Sequence, residues 1–326
     1  MTLTDTFGRL HRYLRISVTD RCNMRCRYCM PHEEMIWQPK EELLRYEEIT
    51  RLAQLFVSMG VEKIRLTGGE PLVRKDIAVL IKMLADISGL KTLAITTNGT
   101  TLNQEAKTLK AAGLNSVTIS LDTLRPDRFK QITQRDLFNT VMAGMETALS
   151  TGFESVKLNV VVMEGINDDE LHDFVALSKH QPLNVRFIEY MPFKDNEWRM
   201  GKLVSYAKMK SLLAERHELT PIATHPSAVA KDFKIKNHKG SVSFVTSMTE
   251  SFCGTCNRLR LTADGAIKPC LFDQSEVHLR DAMRNGADDA VLTRLIQRAL
   301  SLKPAGHEPV ETIDVTHNRP MITIGG

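Results

Sequence analysis

Six times in its first 190 residues the chain alternates a short run rich in Val, Ile, Leu and Thr with a stretch of helical periodicity. The strand-like runs are residues 13–19, 63–67, 92–97, 116–121, 156–163 and 185–190, composed as buried strands are. Helical patterns cover 46–59, 76–87, 104–112, 136–151 and 169–178. In the first of them Ile49, Leu52, Ala53, Phe56 and Val57 recur at the spacing that places them on one face. Gly60, Gly89, Gly113 and Gly152 follow four of these helices, where helix stops belong. This succession of βα units specifies an α/β fold with a parallel sheet. Six units fall short of the eight of a closed barrel. The expected architecture is therefore a partial (βα)6 TIM-type barrel over residues 1–190, with one side open.

After residue 190 the rhythm changes. Residues 191–201 read as a linker, 203–216 as a helix, and 231–236 with 241–247 as a hairpin around His238-Lys239-Gly240. Two further helical patterns cover 277–284 and 288–302. We expect residues 191–326 to form a smaller α+β domain that closes the open side. Apolar residues make up 42% and charged residues 25%, an ordinary globular balance. No apolar run reaches the ~18 residues of a membrane span. The 43 basic and 39 acidic residues give a net charge of +4, too mild for a nucleic-acid polymer or a membrane surface as partner. Any anion site must be local. The first ten residues lack the apolar core of an export signal, so the expected compartment is the reducing cytoplasm.

In a reducing compartment the six cysteines point to metal, because they fall into two tight groups of three. The first, Cys22-x3-Cys26-x2-Cys29, follows the first strand, at the catalytic end of a parallel barrel. Three thiolates around a four-iron cubane leave one iron open, the mark of a reactive site. A zinc site completed by His11 or His32, or a cluster completed by a cysteine of the second group, is the alternative. The second group is Cys253-x2-Cys256-x13-Cys270. On spacing alone zinc, with His278 or Asp273 as fourth ligand, competes there with an iron–sulfur cluster.

Basic residues recur on the strands: Arg15, Lys63, Arg65, Lys157 and Arg186, with Arg258 and Arg260 beside the second cysteine group. Buried cations need partners. Those partners are either internal carboxylates such as Glu70 and Glu189 or a bound polyanion, for which the planar arginine fork is suited. On a strand, Arg258 and Arg260 point to one face.

The spacing Cys-x3-Cys-x2-Cys with Tyr28 before the last cysteine, and Thr67-Gly68-Gly69-Glu70-Pro71 after the second strand, resemble the signature of the radical S-adenosylmethionine (SAM) superfamily. With the second cysteine group, Asn257-Arg258-Leu259-Arg260 and the segment from Asn318 to Gly326, the chain resembles the GTP 3′,8-cyclase family over essentially its whole length. The resemblance implies two [4Fe–4S] clusters, one at each cysteine triad, with SAM at the first and guanine at the open iron of the second. It implies SAM contacts at Tyr28, Gly69, Ser120 and Met191. It implies GTP contacts at Arg15, Arg65, Thr96, Lys157, Arg258, Leu259 and Arg260. Weaker matches are Lys63, Arg186, Thr97, Asn159, Gly325 and Gly326, the last two as a segment entering the active-site pocket. No catalytic residue is implied beyond the clusters and the arginines.

The implied reaction is the first step of molybdenum cofactor (molybdopterin) biosynthesis. A 5′-deoxyadenosyl radical takes the C3′ hydrogen of GTP, C3′ joins C8, and (8S)-3′,8-cyclo-7,8-dihydroguanosine 5′-triphosphate passes to cyclic pyranopterin monophosphate synthase. A homodimer is the family expectation; nothing in the residues identifies the electron donor. Other readings of the same residues are a two-cluster radical enzyme acting on a peptide, a zinc-dependent binding module, and an aldolase-type lyase. The strand cations favour a nucleotide over a peptide, and an aldolase would not need six clustered cysteines.

Overall fold

The computed structural model describes residues 2–30 and 36–325. Its first half follows the expected rhythm. In chain order come β1 (Tyr13–Ser17), α1 (Tyr46–Ser58), β2 (Lys63–Thr67), α2 (Ile77–Ala85), β3 (Thr92–Thr97), α3 (Leu102–Ala111) and β4 (Ser116–Ser120). They are followed by α4 (Pro126–Thr133), α5 (Phe138–Ser150), β5 (Ser155–Val162), α6 (Leu171–His180) and β6 (Leu183–Glu189). The later elements are α7 (Tyr206–Ala214), β7 (Leu219–Pro221), β8 (Ala230–Ile235), β9 (Ser241–Val245), β10 (Arg258–Leu261), β11 (Ala266–Lys268), β12 (Val277–His278), α8 (Arg280–Arg284), α9 (Asp289–Ser301) and α10 (Met321–Ile324). None of these helices is long and apolar enough to cross a membrane.

All the strands share one 12-stranded sheet, ordered β12-β11-β10-β1-β2-β3-β4-β5-β6-β9-β8-β7. From β10 through β1–β6 to β9 every pairing is parallel. The rhythm read from the sequence stops after residue 190, but the sheet does not. The predicted hairpin, β8 with β9, extends the β6 edge, while β10, β11 and β12 extend the β1 edge. The segment carrying the second cysteine triad thereby lies beside the strand that leads to the first.

The helices bury one face each. Ile49, Leu52, Ala53 and Phe56 of α1 join Leu14, Ile16, Ile64 and Leu66 of the strands in a continuous apolar core. The alternate strand residues face the other way, and there the polar and cationic side chains collect. Glu48 caps α1 through the Arg45 N–H at 2.7 Å. It also receives Arg284 at 2.8 and 3.0 Å, tying α8 to the first helix.

Candidate functional site

The loop after β1 carries Cys22, Cys26 and Cys29, and its course is set by backbone packing. Gly69 N–H donates to Thr19 O and Glu70 N–H to Arg21 O, both at 2.8 Å. A Cβ on Gly69 would lie 2.4 Å from Arg21 O and 2.6 Å from Asp20 O; one on Gly68, at φ +147°, would lie 2.5 Å from Thr19 O. Only glycines let the end of β2 press against the strand leading into the cysteine loop. Gly69→Ala is therefore expected to displace that loop, at a cost above the ~1–3 kcal/mol of ordinary overpacking. Iron loading at the first triad should fall together with SAM binding; normal values of both would show that the loop absorbs the methyl group.

The three thiols line a cavity of about 180 Å³ together with Tyr28, Gly69, Thr97, Ser120, Asn159 and Met191. All the residues matched to SAM by sequence therefore meet in one place. Two carboxylates complete it: Asp122, which the sequence did not single out, and Glu70 of the Gly-Gly motif. Asp122 accepts from Tyr28 Oη at 2.6 Å and from Val161 N–H at 2.9 Å. Glu70 accepts from Thr97 Oγ1 at 2.7 Å, Asn98 N–H at 2.6 Å and Leu72 N–H at 3.0 Å. Burial pushes Glu70 up to about 7 and Asp122 up to about 6. Burial also pushes the thiols up, Cys22 to about 11 and Cys26 well above its ordinary value. Buried thiols of this kind ionise when a metal supplies the compensating charge.

Cys253, Cys256 and Cys270 line a second, larger cavity of about 550 Å³. Arg9 holds their loop by donating to Cys253 O and Ala305 O at 2.7 Å and to Pro304 O at 2.6 Å. Lys303 donates to Arg258 O at 3.0 Å and to Pro269 O at 2.5 Å. The surroundings are opposite in sign to those of the first triad. Burial pushes the Cys256 thiol up, but Arg258 and Lys303 together pull harder and leave it at about 7. All six cysteines are free of disulfides.

Arg15, Lys63, Arg65, Lys157, Arg186, Arg258 and Arg260 all line this cavity. The register explains their convergence: Arg15 pairs with Arg65 on one side and Arg260 on the other, and Tyr13 with Lys63 and Arg258. Leu259 is the exception. Strand alternation turns its side chain into the apolar core, so it does not line the cavity. Glu70 and Glu189 are not the partners of these cations. Glu189 is taken up by the N–H groups of Tyr206, Met248 and Thr249 and by the Thr249 hydroxyl.

Arg65 is the best held, donating to Tyr13 Oη, Ile95 O, Thr96 Oγ1 and Thr118 Oγ1. By contrast, the Nε atoms of Arg15, Arg186 and Arg258 are buried with no hydrogen-bond partner among the described residues. Burial and the neighbouring cations push Arg15 and Arg186 down to about 10 and Lys157 down to about 8. Among the described residues, only Glu62 and Asp232 bring carboxylates to the wall. Buried donors and cations that outnumber their counter-ions suit a polyanionic ligand.

The two cavities share Thr96, Asn159, Ile188, Met191 and Met321 in their walls. Each therefore holds one thiol triad, and a common partition separates them. The segment ending at Gly325 reaches this partition. Arg260 donates to Gly325 O at 2.8 Å, and a Cβ on Gly325 would lie 2.3 Å from Thr67 Oγ1. Gly326 and His32 lie outside the described residues.

Three thiols on one βα loop, pinned by a Gly-Gly turn at the carboxyl ends of parallel strands, define a radical SAM enzyme. Residues 16–177 match the family model of the radical SAM superfamily, and 183–309 match molybdenum cofactor synthesis C. "GTP 3′,8-cyclase, mitochondrial" of Arabidopsis thaliana is 54% identical over 325 residues, 99% of this chain and 83% of that protein. "GTP 3′,8-cyclase" of Heliobacterium modesticaldum is 43% identical over 329 residues, 99% of this chain and all of that protein. The chain belongs to the GTP 3′,8-cyclase family. It spans about half the length of animal relatives such as the human "Molybdenum cofactor biosynthesis protein 1", which is 50% identical over 323 residues, 99% of this chain and 51% of that one. Among solved structures, that of Streptococcus suis SuiB has a TM-score of 0.58 at 14% identity, covering 82% of this chain and 62% of that one, and shares the fold.

The residues present fit the cluster and SAM that membership in this superfamily implies. Three convergent thiols, an open cavity beside them and a glycine turn that no side chain could replace supply the donor set and the space.

Proposed function

We propose that the chain converts GTP into (8S)-3′,8-cyclo-7,8-dihydroguanosine 5′-triphosphate, the opening step of molybdenum cofactor biosynthesis. The observation that carries this reading is the pair of adjoining cavities. Each is lined by one thiol triad, they share a wall, and the larger is walled by buried cations, of which Arg15, Arg186 and Arg258 keep Nε without a hydrogen-bond partner among the described residues.

In this reading Cys22, Cys26 and Cys29 hold the superfamily's [4Fe–4S] cluster, and Cys253, Cys256 and Cys270 hold a second one. When bound, the first cluster with SAM supplies the one-electron chemistry that starts hydrogen abstraction. The chain itself binds, orients and shields. Tyr28, Gly69, Ser120 and Met191 border the cofactor, with Asp122 fixing the Tyr28 hydroxyl. Arg15, Lys157, Arg186, Arg258 and Arg260, with Lys63, take the triphosphate. Thr96 and Asn159, common to both cavities, face the ribose between base and cofactor. The apolar partition of Ile188, Met191 and Met321 keeps water from the reacting carbon.

By the same carry-over, residues 1–190 act as a partial (βα)6 barrel and 191–326 as the part that closes it, which the strand order on either edge supports. Membership further suggests a cytoplasmic homodimer whose product goes to cyclic pyranopterin monophosphate synthase.

Arg15→Ala should weaken GTP binding about tenfold to a hundredfold, the range for a lost charge-assisted bond. Equilibrium dialysis against labelled GTP reads this directly, and an unchanged dissociation constant would remove Arg15 from the site. The function itself is tested by anaerobic incubation of the reconstituted protein with GTP, SAM and a strong reductant, followed by product analysis. The cyclised triphosphate is expected alongside 5′-deoxyadenosine. Sustained SAM cleavage with GTP left intact would contradict the reading.

A further inference from the structure

Tyr13 opens β1 with its ring in the wall of the larger cavity. Its phenol oxygen accepts from Arg65 Nε at 2.7 Å and, more distantly, from Arg15 Nη1 at 3.5 Å. The Lys63 ammonium sits 5.0 Å from the ring centre. Among the described residues no acceptor is bonded to the hydroxyl's own proton.

The groups beside it on β1, β2, β6 and β10 are all cations: Arg15, Lys63, Arg65, Arg186 and Arg258. Among the described residues the cavity has two carboxylates, and neither is bonded to Tyr13; Asp232 offsets Arg186 and Lys157 instead. Glu62 pairs with Lys91 at 3.0 Å and Arg12 at 3.4 Å, and Asp232 accepts from Ser243 Oγ at 2.6 Å. Burial alone would push the phenol up, but Arg65, Arg15 and Lys63 outweigh it and bring it down to about 6. Without its proton, Tyr13 places an anionic oxygen directly on Arg65, in a wall where, among the described residues, the cations outnumber the carboxylates of Glu62 and Asp232.

We propose that Tyr13 is a positioning residue that stands in for a phosphate oxygen, holding Arg65 and Arg15 in place while the cavity is empty and taking up a proton as the triphosphate arrives. The inference rests on the reading of this cavity as the GTP site. The phenolate gains one proton from solvent and becomes a neutral phenol. It remains an acceptor for Arg65, while the phosphate oxygens assume the charge. GTP binding is then coupled to proton uptake, and affinity falls as pH rises above the phenol's value in the free protein. Lys157, at about 8, also takes up protons when an anion binds, so Tyr13 is isolated by difference.

The test is titration calorimetry of the anaerobically reconstituted holoenzyme with GTP, without SAM, in two buffers of different ionisation enthalpy. At about pH 7.5 the wild-type protein should take up close to one proton more per GTP than Tyr13→Phe. Between about pH 7 and 8.5 its affinity should fall roughly tenfold per pH unit relative to the variant. A merely structural tyrosine would shift affinity without shifting either quantity. Equal proton uptake in the two proteins, with GTP still binding, overturns the proposal and leaves the functional reading intact. No uptake by the wild-type protein alone overturns it equally, whatever the variant's folding. Absence of GTP binding to the wild-type protein overturns both.

Discussion

Alanine in place of Cys22, Cys26 or Cys29 is expected to abolish SAM cleavage, with 5′-deoxyadenosine falling by far more than the ~10–100-fold typical of losing a hydrogen-bond partner of a metal ligand. The three thiols stand on one loop and face one cavity, with no spare cysteine in its wall. The other triad lines a different cavity, and its loop is held by Arg9 and Lys303 through backbone carbonyls. A missing corner therefore cannot be refilled from within the described residues without moving a strand. Product chromatography measures the loss, and iron content distinguishes an absent cluster from an inactive one. Wild-type cleavage by any of the three variants would remove this triad from the radical chemistry.

Cys256→Ala should behave differently. The cysteine lines the larger cavity, beyond the shared partition of Thr96, Asn159, Ile188, Met191 and Met321, whereas Tyr28, Gly69 and Ser120 line the smaller one alone. SAM cleavage should persist at a slow, uncoupled rate. The cyclised triphosphate should drop by more than about a hundredfold, because the base loses its fixed point while the triphosphate keeps its cations, and reaction requires reacting atoms held within a few tenths of an ångström. The ratio of 5′-deoxyadenosine to cyclised product reports this in a single assay. An unchanged ratio would contradict a substrate-holding role for the second triad.

Much of this arrangement is legible in the sequence. The apolar runs of β1–β6 and the stripe Ile49, Leu52, Ala53, Phe56 are set by burial on both faces of a parallel sheet, a local pattern. The cysteine triads are legible because ligands of one cluster must lie close in the chain. What escapes is short or long-range. α4 offers only Phe129, Ile132 and Thr133 to the core in eight residues, too few for a period to show. β10, with four residues, carries Arg258 and Arg260 on the cavity face, and β11 has only three residues, so neither shows an apolar run. The partnership of Tyr28 with Asp122 joins residues 94 apart, and that of Arg9 with Cys253 joins residues 244 apart. Nothing local marks either. Tyr13 reads as an ordinary strand aromatic until the register sets it among Arg258, Lys63 and Arg65. Leu259 is the converse case. Motif matching includes it between two arginines, while strand alternation points it into the core.

The central claim is that two thiol triads on opposite sides of a shared partition each carry a four-iron cluster. Metal and acid-labile sulfide analysis of the anaerobically reconstituted chain tests it most directly. About eight irons and eight sulfides per chain are predicted, falling to about four of each in Cys253→Ala. About four irons in the fully loaded wild-type protein, or zinc at Cys253, Cys256 and Cys270, would contradict it.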